Sequence, residues 1–366
     1  MKKLIKDCVF NVEQYEPGKP IEVLRRELGS AGDICKMASN ENPLGPSPKA
    51  LEAIQNSLHE SNCYPDNSCY LLREKLGKYL GMAPSNIFVG NGTTELIYLT
   101  GIAFLNPQDK IIMSECGFIM AKITAQIVNS RLIEVPLKDY CHDLERILDQ
   151  VDEETKIVYL DLPMNPIGTS IDRDQFSSFM DRVPEDVLVV CDEAYYEYAD
   201  KERYPETIGL VEEGRNVLIL RTFSKLYGLA GFRVGYCLGK KGFLEALWKV
   251  SPPFSVNKFA QIGAAAALDD REHVKNTLEM NEAGKDFIYE NLQKMSVDYI
   301  PSETNFVTIN AKRDTRQISE DMQKEGVIIR PLAMYGQPHF FRVTIGTPDQ
   351  NRKFIDVLQK VYHKYP

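Results

Sequence analysis

Lys225 stands in a stretch whose composition is unusual for a surface lysine. The segment "LRTFSKLYGLAGFRVGY", residues 220–236, has no acidic residue and surrounds the lysine with hydroxyls at Thr222 and Ser224 and with Arg233 eight residues later. Most of the 43 basic side chains must be ordinary solvated charges. A lysine held among apolar neighbours loses proton affinity and can attack carbonyl groups, so this segment indicates a nucleophilic site.

Two further strand ends carry polar side chains. The run "VLVVC" leads into "DEAY" and delivers Asp192, and "YLDLPMNPIG" places Asn165 after another strand. Sheets of parallel strands bind ligands at their carboxyl ends, where these side chains would meet Lys225. Taken singly, Asp192 could cap a helix and Asn165 could be a turn residue.

The segment "VGNGTTEL", residues 89–96, predicts a strand, a glycine turn and a helix that opens at two threonines. The free N–H groups and positive dipole end of such a helix suit a phosphate, although a plain tight turn would have the same appearance. The segment is neither a Walker loop nor a G-x-G-x-x-G fingerprint, which argues against a nucleotide site or a nicotinamide dehydrogenase.

Together these groups are the parts that pyridoxal phosphate requires. Lys225 would form the Schiff base, Asp192 would keep the pyridine nitrogen protonated, and Asn165 and Tyr195 would hydrogen-bond the ring oxygen. The residues expected around the phosphate are Gly92, Thr93, Thr94, Thr222, Ser224 and Arg233.

The elements that must position these residues indicate an α/β fold. From about residue 87 to 240, short β-branched runs alternate with helix-like segments, which predicts a mostly parallel sheet covered by helices on both faces. After "KVSPPFSVN" a long helical region and short strands predict a smaller α+β domain, on which the first 35 residues would pack. We therefore expect a large domain over 36–250 and a small domain formed by 1–35 and 251–366.

Composition excludes several other classes of protein. The net charge of −9 disfavours nucleic acid and anionic membranes as partners. No apolar stretch has membrane-spanning length and the N-terminus lacks a signal-peptide pattern, so we expect a cytoplasmic protein. The eight scattered cysteines predict reduced thiols, and the five histidines never have metal-ligand spacing, so no metal site is expected.

The order and spacing of the motifs resemble the class I and II aminotransferases of fold type I, and within them the histidinol-phosphate branch. Motifs that carry this resemblance include "YEPGKPIE", "MASNENPLGPSPKALEAI", "CYPD", "NPIGT", "VVCDEAYYEY", "PPFSVN" and "VIIRPLAMYGQPHFFRVTIGT", and they extend from residue 15 to about 347. The resemblance implies a seven-stranded, mostly parallel sheet in the large domain. It also implies transfer of an amino group between histidinol phosphate, or imidazole-acetol phosphate, and 2-oxoglutarate or glutamate.

The resemblance also assigns residues that composition and spacing do not. It implies the same roles for Lys225, Asp192, Asn165, Tyr195 and Arg233 as given above, and it implies that Phe118 stacks on the cofactor ring. Tyr64 would reach the cofactor phosphate of a neighbouring subunit, which implies a homodimer with shared active sites. The substrate pocket would contain Arg342, which binds a carboxylate, Arg330, a second anion-binding arginine, and Asn42, Tyr15, Phe254 and Asn257.

The sequence departs from the family pattern at four positions. The family usually has Asp at Thr94, Asn at Met164, Thr at Ile167 and often Tyr at Ala121. These changes leave the cofactor residues intact but weaken the substrate assignment. A relative acting on aromatic or other amino acids, or a decarboxylase of the same fold, therefore stays an alternative. A ligand sensor fused to a DNA-binding module would need more than the 35 residues upstream.

Overall fold

The computed structural model describes residues 4–28, 34–362 and 364, so His363 and parts of the predicted small domain lie outside the described residues. The strands in this part of the chain are β1 (Cys35–Lys36), β2 (Ile87–Gly90), β3 (Lys110–Ser114), β4 (Arg131–Val135), β5 (Thr155–Asp161), β6 (Leu188–Asp192), β7 (Val217–Thr222), β8 (Gly235–Gly239), β9 (Asp298–Ile300), β10 (Phe306–Asn310), β11 (Val327–Ile328), β12 (Arg330–Leu332) and β13 (Gln337–Thr344).

The α-helices surround these strands. They are α1 (Ile21–Leu28), α2 (Pro48–Ser57), α3 (Tyr70–Leu80), α4 (Thr93–Phe104), α5 (Ile119–Val128), α6 (Leu144–Asp149), α7 (Arg173–Arg182), α8 (Ile208–Glu212), α9 (Lys241–Val250), α10 (Lys258–Ala267), α11 (Arg271–Lys294), α12 (Thr315–Lys324) and α13 (Pro348–Tyr362). None of the helices in the described ranges is long and apolar enough to cross a membrane.

The largest sheet has seven strands in the order β2-β8-β7-β6-β5-β3-β4. Strands β3 to β7 pair in parallel, and β8 runs antiparallel to both β2 and β7. The predicted α/β fold with a mostly parallel sheet is confirmed. Strand β6 shows why both faces are covered: Leu188 and Val190 are buried in one apolar cluster, and Val189 and Cys191 in another on the opposite face.

A second core lies on a four-stranded antiparallel sheet of order β12-β13-β10-β9. Val307 and Ile309 of β10 and Phe341 of β13 are fully buried there, against apolar side chains of α11 and α13. The short parallel pair β1 and β11 joins the chain near residue 35 to this part of the molecule. This separate core supports the predicted division into two domains, which stays a proposal.

Helix α10 follows the predicted domain boundary at residue 250, but it packs with the large domain. Its alanines Ala260, Ala264 and Ala267 are fully buried in the core of the large sheet, and the helix packs against α2. Small side chains let two helices approach closely, so α10 is held by the large domain rather than the small one. We propose that the boundary lies within α11, whose last half contributes Ile288 and Leu292 to the second core.

All eight cysteines are free thiols. Five of them are buried, namely Cys35, Cys69, Cys116, Cys191 and Cys237. This agrees with the prediction of reduced thiols.

Candidate active site

A cavity of about 230 Å³ lies at the carboxyl ends of the parallel strands. Its lining includes thirteen of the residues predicted from the sequence: Tyr15, Thr93, Thr94, Phe118, Asn165, Asp192, Tyr195, Thr222, Ser224, Lys225, Arg233, Arg330 and Arg342. Strands β3, β5, β6 and β7 bring side chains here because parallel strands end at the same edge of the sheet.

Lys225 follows β7 in a tight loop. Gly228, at φ +69°, lets this loop pass against the Gly45 carbonyl, where a Cβ atom would come within 2.1 Å of the oxygen. The Lys225 Nζ donates to the Ser39 carbonyl at 3.3 Å and lies 5.5 Å from the centre of the Tyr195 ring. Burial, helped by the Arg342 charge, lowers the pKa of Lys225 to about 8. The amine is therefore available as a neutral nucleophile or base near neutral pH.

Asp192 ends β6 and is buried in the floor of the cavity. Its Oδ2 accepts a hydrogen bond from the Tyr159 hydroxyl at 2.7 Å, and its Oδ1 accepts from the Ala194 N–H at 3.2 Å. Burial raises the pKa of Asp192 to about 6, against the opposing effect of these hydrogen bonds. The carboxylate is held in one orientation and can bind a cationic ring nitrogen.

Two side chains that line the cavity with Asp192 have free hydrogen-bond donors. The Tyr195 hydroxyl accepts a hydrogen bond from Asn40 Nδ2 at 2.8 Å, which leaves its own proton free to be donated elsewhere. Asn165 accepts through Oδ1 from Arg342 Nη1, so its amide NH₂ group is free to donate.

Another part of the cavity is lined by groups that can donate hydrogen bonds. Helix α4 begins at Thr93, after Gly92 at φ +80°, and a Cβ on Gly92 would come within 2.4 Å of Arg233 Nη2. Arg233 Nη1 donates to Ser224 Oγ at 3.4 Å. The hydroxyls of Thr222 and Ser224 lie 3.0 Å apart. A helix N-terminus, two hydroxyls and a guanidinium group fit a phosphate.

A third part of the cavity contains two arginines from the small sheet. Arg330 and Arg342 are register partners on β12 and β13. Arg330 donates to the Glu16 carbonyl at 2.6 Å and lies 5.8 Å from the centre of the Tyr15 ring. Arg342 is buried and donates to the Ala38 carbonyl at 3.0 Å, while its Nε has no partner. Burial lowers the pKa of Arg342. An unpartnered buried guanidinium donor calls for an anion.

Residues 32–358 match the family described as aminotransferase class I and II. The chain belongs to this family. Similar curated chains are the histidinol-phosphate aminotransferases of Halalkalibacterium halodurans, 43% identical over 98% of this chain and 96% of that one, and of Moorella thermoacetica, 41% identical over 97% and 92%. The aminotransferase activity predicted from the sequence is confirmed.

Two solved structures resemble this aminotransferase along nearly all of its length. The histidinol-phosphate aminotransferase of Sinorhizobium meliloti, in complex with pyridoxal-5'-phosphate, is 28% identical with a TM-score of 0.91 and covers 99% of this chain and 98% of its own. The aspartate aminotransferase of Thermus thermophilus with maleate, 18% identical with a TM-score of 0.85, shares the fold over 98% of this chain and 99% of its own. Both support fold type I.

The donors in the cavity fit pyridoxal 5'-phosphate, the cofactor of this aminotransferase. The cradle formed by Gly92, Thr93, Ser224 and Arg233 matches its phosphate, and Asp192 is oriented for its ring nitrogen. Phe118, at the start of α5, lines the same cavity, as required of a residue that stacks on the ring.

Five of the predicted site residues are not among those that line this cavity; one of them, Gly92, lies at its edge against Arg233. The amide of Asn42 donates to the Leu226 carbonyl at 2.8 Å and to Thr277 Oγ1 at 3.1 Å, so Asn42 supports the loop of Lys225 instead of facing a substrate. Asn257 caps α10 and donates to the Phe232 carbonyl. Phe254 stacks on Tyr64 with ring centres 4.8 Å apart, and the two exposed rings lie in a separate surface concavity that also contains Asn257.

Three of the departures from the family pattern are buried in apolar surroundings. Met164 and Ile167 pack with Leu332 and Phe340 of the small sheet, and Ala121 is buried in a core beneath the large sheet. Thr94 is the only one of the four that lines the cavity within the described chain. The changes at Met164 and Ile167 therefore affect packing between the two sheets rather than the donors around the ligand.

Sequence reasoning missed several residues of the site. Asn40, Asp161 and Tyr335 line the cavity, and Tyr159 supports Asp192 from behind. Asp161 could have been found from the sequence, because it ends an apolar strand run as Asp192 does. Nothing in the local sequence indicates that Asn40 binds Tyr195, which is 155 residues away along the chain.

Proposed function

We propose that this aminotransferase moves an amino group between histidinol phosphate and 2-oxoglutarate, with imidazole-acetol phosphate and glutamate as the products. The observation that carries the proposal is the pair Arg330 and Arg342, which offers two guanidinium groups to one cavity. The curated relatives at 41% and 43% identity, named histidinol-phosphate aminotransferases, support the same assignment.

Pyridoxal phosphate, when bound, supplies an electron-accepting ring and a carbonyl carbon that can carry the amino group. Lys225 would hold it through Nζ, and the same amine would take the proton from the substrate carbon that bears the nitrogen. Its pKa of about 8 makes this amine a competent base. Asp192 holds a proton at the ring nitrogen, and Tyr195 and Asn165 donate to the ring oxygen.

The two arginines explain how one cavity accepts two different anions. Glutamate carries two carboxylates, and histidinol phosphate carries a doubly charged phosphate. In the proposal both arginines bind the phosphate of histidinol phosphate, whereas in glutamate Arg342 binds the carboxylate next to the reacting carbon and Arg330 binds the distal one. A neutral aromatic side chain would leave Arg330 without an anion.

Steady-state kinetics with histidinol phosphate, glutamate and phenylalanine as amino donors test the proposal. We expect kcat/KM for histidinol phosphate to exceed that for phenylalanine by about 100-fold, the effect of one charged hydrogen-bonded contact of about 3 kcal/mol. Equal values for the two donors would favour the aromatic aminotransferase, and release of carbon dioxide without a new keto product would favour the decarboxylase.

A homodimer with shared active sites is part of the proposal. Tyr64 is 81% exposed, Leu71 is 78% exposed and Leu58 is 52% exposed, and each lies on or next to the helices α2 and α3. Exposed apolar side chains at this density are typical of a surface that a second copy covers. We place Tyr64 at the cofactor phosphate of the partner, with Phe254 and Asn257 beside it.

We also propose a cytoplasmic location for the enzyme. The eight free thiols support a reducing compartment. Fractionation of cells that produce the protein would test this, and recovery with a secreted or periplasmic marker would contradict it.

A further inference from the structure

Asp161 is a second buried carboxyl group at the floor of the cavity. It ends β5 and is the register partner of Asp192 on β6, so both side chains leave the sheet at the same edge. Asp161 Oδ2 accepts two backbone hydrogen bonds, from Asn165 N at 2.8 Å and from Phe118 N at 3.2 Å. One oxygen atom thus connects the loop that carries Phe118 to the loop that carries Asn165.

The other oxygen of this carboxyl group has no partner. Asp161 Oδ1 is buried without a hydrogen bond, and Asp161 itself lines the cavity. The nearest cationic candidate in the described chain is His142, whose Nε2 lies 3.8 Å from Oδ1. That ring is already occupied, because Nε2 is 3.0 Å from the Asp161 carbonyl and Nδ1 is 2.7 Å from Ser114 Oγ. Burial lowers the pKa of His142 to about 4, so His142 is neutral and does not balance a charge on Asp161.

We propose that Asp161 is a positioning residue of the cofactor site that acts as a neutral acid. Its Oδ2 would hold the segments of Phe118 and Asn165 next to the cofactor, and its proton resides on the unpartnered Oδ1. Of the two carboxyl groups, only Asp192 then carries a negative charge. The proposal does not depend on which amino acid the enzyme uses, because it concerns only the cofactor end of the cavity.

The surroundings of Asp161 explain why it, rather than Asp192, carries the proton. The titratable groups that face it from the packed elements are Asp192 on β6, Tyr159 on β5, Tyr195 after β6, Cys116 after β3 and His142 before α6. None of these groups is cationic at neutral pH. Burial and the charge of Asp192 raise the pKa of Asp161 to about 8, whereas the Tyr159 hydroxyl helps keep Asp192 ionised.

Asparagine is the matched substitution for such a role. The carbonyl oxygen of Asp161→Asn can accept both backbone N–H groups, and its amide is neutral at every pH, whereas Asp161→Ala removes both hydrogen bonds. The full-length protein would be stripped of cofactor and titrated with pyridoxal phosphate, using cofactor absorbance and induced circular dichroism. We expect the asparagine variant to bind within about threefold of the wild type and the alanine variant to bind about tenfold more weakly with a reduced dichroic signal.

Urea unfolding of the cofactor-saturated enzyme between pH 5 and 7.5 tests the charge state. The unfolded carboxyl loses its proton near pH ~4, but the folded one keeps its proton up to about pH 8. The folded wild type therefore binds more protons in this window and loses stability relative to Asp161→Asn as the pH rises. The ratio of the two unfolding constants should change by up to about tenfold per pH unit. Asp186→Asn, at an exposed position, is the control and should show no such trend.

Each possible failure points to a different error. A pH-independent ratio, or a trend in the opposite direction, would show that Asp161 is ionised in the folded enzyme and would overturn the neutral-acid role. An alanine variant with wild-type cofactor affinity and dichroism would overturn the positioning role. If Asp161→Ala does not fold, Asp161→Ser provides the same affinity comparison. None of these outcomes bears on the substrate, so they are distinguishable from failure of the histidinol-phosphate proposal.

Discussion

Arg330 and Arg342 are register partners on two antiparallel strands, and both side chains line the same cavity. Their surroundings differ. Arg342 is buried and bound to Ala38 and Asn165, whereas Arg330 is partly exposed and bound to the Glu16 carbonyl. Arg342 is therefore held in place by its hydrogen bonds, and Arg330 is the more accessible of the two guanidinium groups.

The two arginines should differ in the substrates that they affect. Arg330→Ala should lower kcat/KM for histidinol phosphate and glutamate by about 10- to 100-fold, the range of a charged hydrogen bond, with little effect on phenylalanine. Arg342→Ala should weaken every carboxylate-bearing substrate. The measurement is steady-state kinetics of both variants, with exposed Arg316→Ala as the control. Equal losses for all three donors with Arg330→Ala would contradict the histidinol-phosphate proposal.

The rate at which pyridoxal phosphate attaches to the apoenzyme should rise with pH. The reacting species is the neutral amine of Lys225, whose pKa is lowered to about 8, so the rate should increase from pH 6, be half-maximal near pH 8 and level off above about pH 9. Stopped-flow absorbance measures this rate. Arg342→Met removes a positive charge beside the amine and should move the midpoint to higher pH. Lys225→Ala should fold but show neither attachment nor turnover. A midpoint near pH ~10, the value of a solvated lysine, would mean that the loop does not activate this residue.

Asp192→Asn should bind the cofactor and lose most of the rate. The amide cannot hold a proton at the ring nitrogen by charge, and the loss should be about 2 to 4 kcal/mol of barrier, as for other preorganised electrostatic groups. Single-turnover kinetics with glutamate measure the effect. Tyr159→Phe removes only one hydrogen bond to Asp192, and its loss should be smaller, about 1 kcal/mol. Wild-type rates in Asp192→Asn would assign Asp192 a structural role.

Mixing two defective variants should restore activity if the sites are shared. Lys225→Ala removes the nucleophile of its own chain, and Tyr64→Ala removes the residue donated to the partner. A heterodimer of the two has one intact site, so co-refolded samples should regain up to about a quarter of the wild-type activity under saturating cofactor. Sedimentation velocity checks the dimer, and a mixture no more active than its components would exclude the shared site.

The buried ion pair between Glu193 and Arg221 should stabilise the fold next to the site. The two side chains lie 2.7 Å apart and are almost fully buried, and the Thr207 hydroxyl donates to Glu193 at 2.5 Å. Glu193→Gln removes the carboxylate that pairs directly with the buried cation, leaves only the Glu197 charge nearby, and should cost about 3 kcal/mol of unfolding free energy. The exposed pair of Arg182 and Glu145 is the control, and Arg182→Ala should have no measurable effect in the same urea titration.

Local patterns were sufficient to predict most of the cofactor site. Asp192 and Lys225 each follow an apolar strand directly, and parallel strands bring their carboxyl ends together whatever the details of the loops. The helix start at Thr93 was readable for the same reason, since a glycine followed by hydroxyl residues opens a helix. Both features are determined by short stretches of consecutive residues.

Contacts between distant segments could not be predicted in this way. Asn42 was assigned to the substrate, but tertiary packing turns its amide toward Leu226 and Thr277. The composition of helix α10 is compatible with either domain. Its place in the large domain follows only from the close packing of its alanines against α2. The neutral state of His142 beside Asp161 likewise results from burial, which cannot be predicted from the spacing of residues in the sequence.

The residues that line the cavity come from parts of the chain that are synthesised at different times. Side chains at the cofactor end come from residues 93 to 233, whereas Arg330, Tyr335 and Arg342 are among the last 40 residues of the 366-residue chain. Tyr15, whose ring lies next to Arg330, is synthesised before the other lining residues, so its contact with Arg330 can form only late in synthesis. Synthesis of the chain therefore produces the cofactor-end side chains before Arg330, Tyr335 and Arg342, and Arg342 then fixes Asn165 from the later part of the chain.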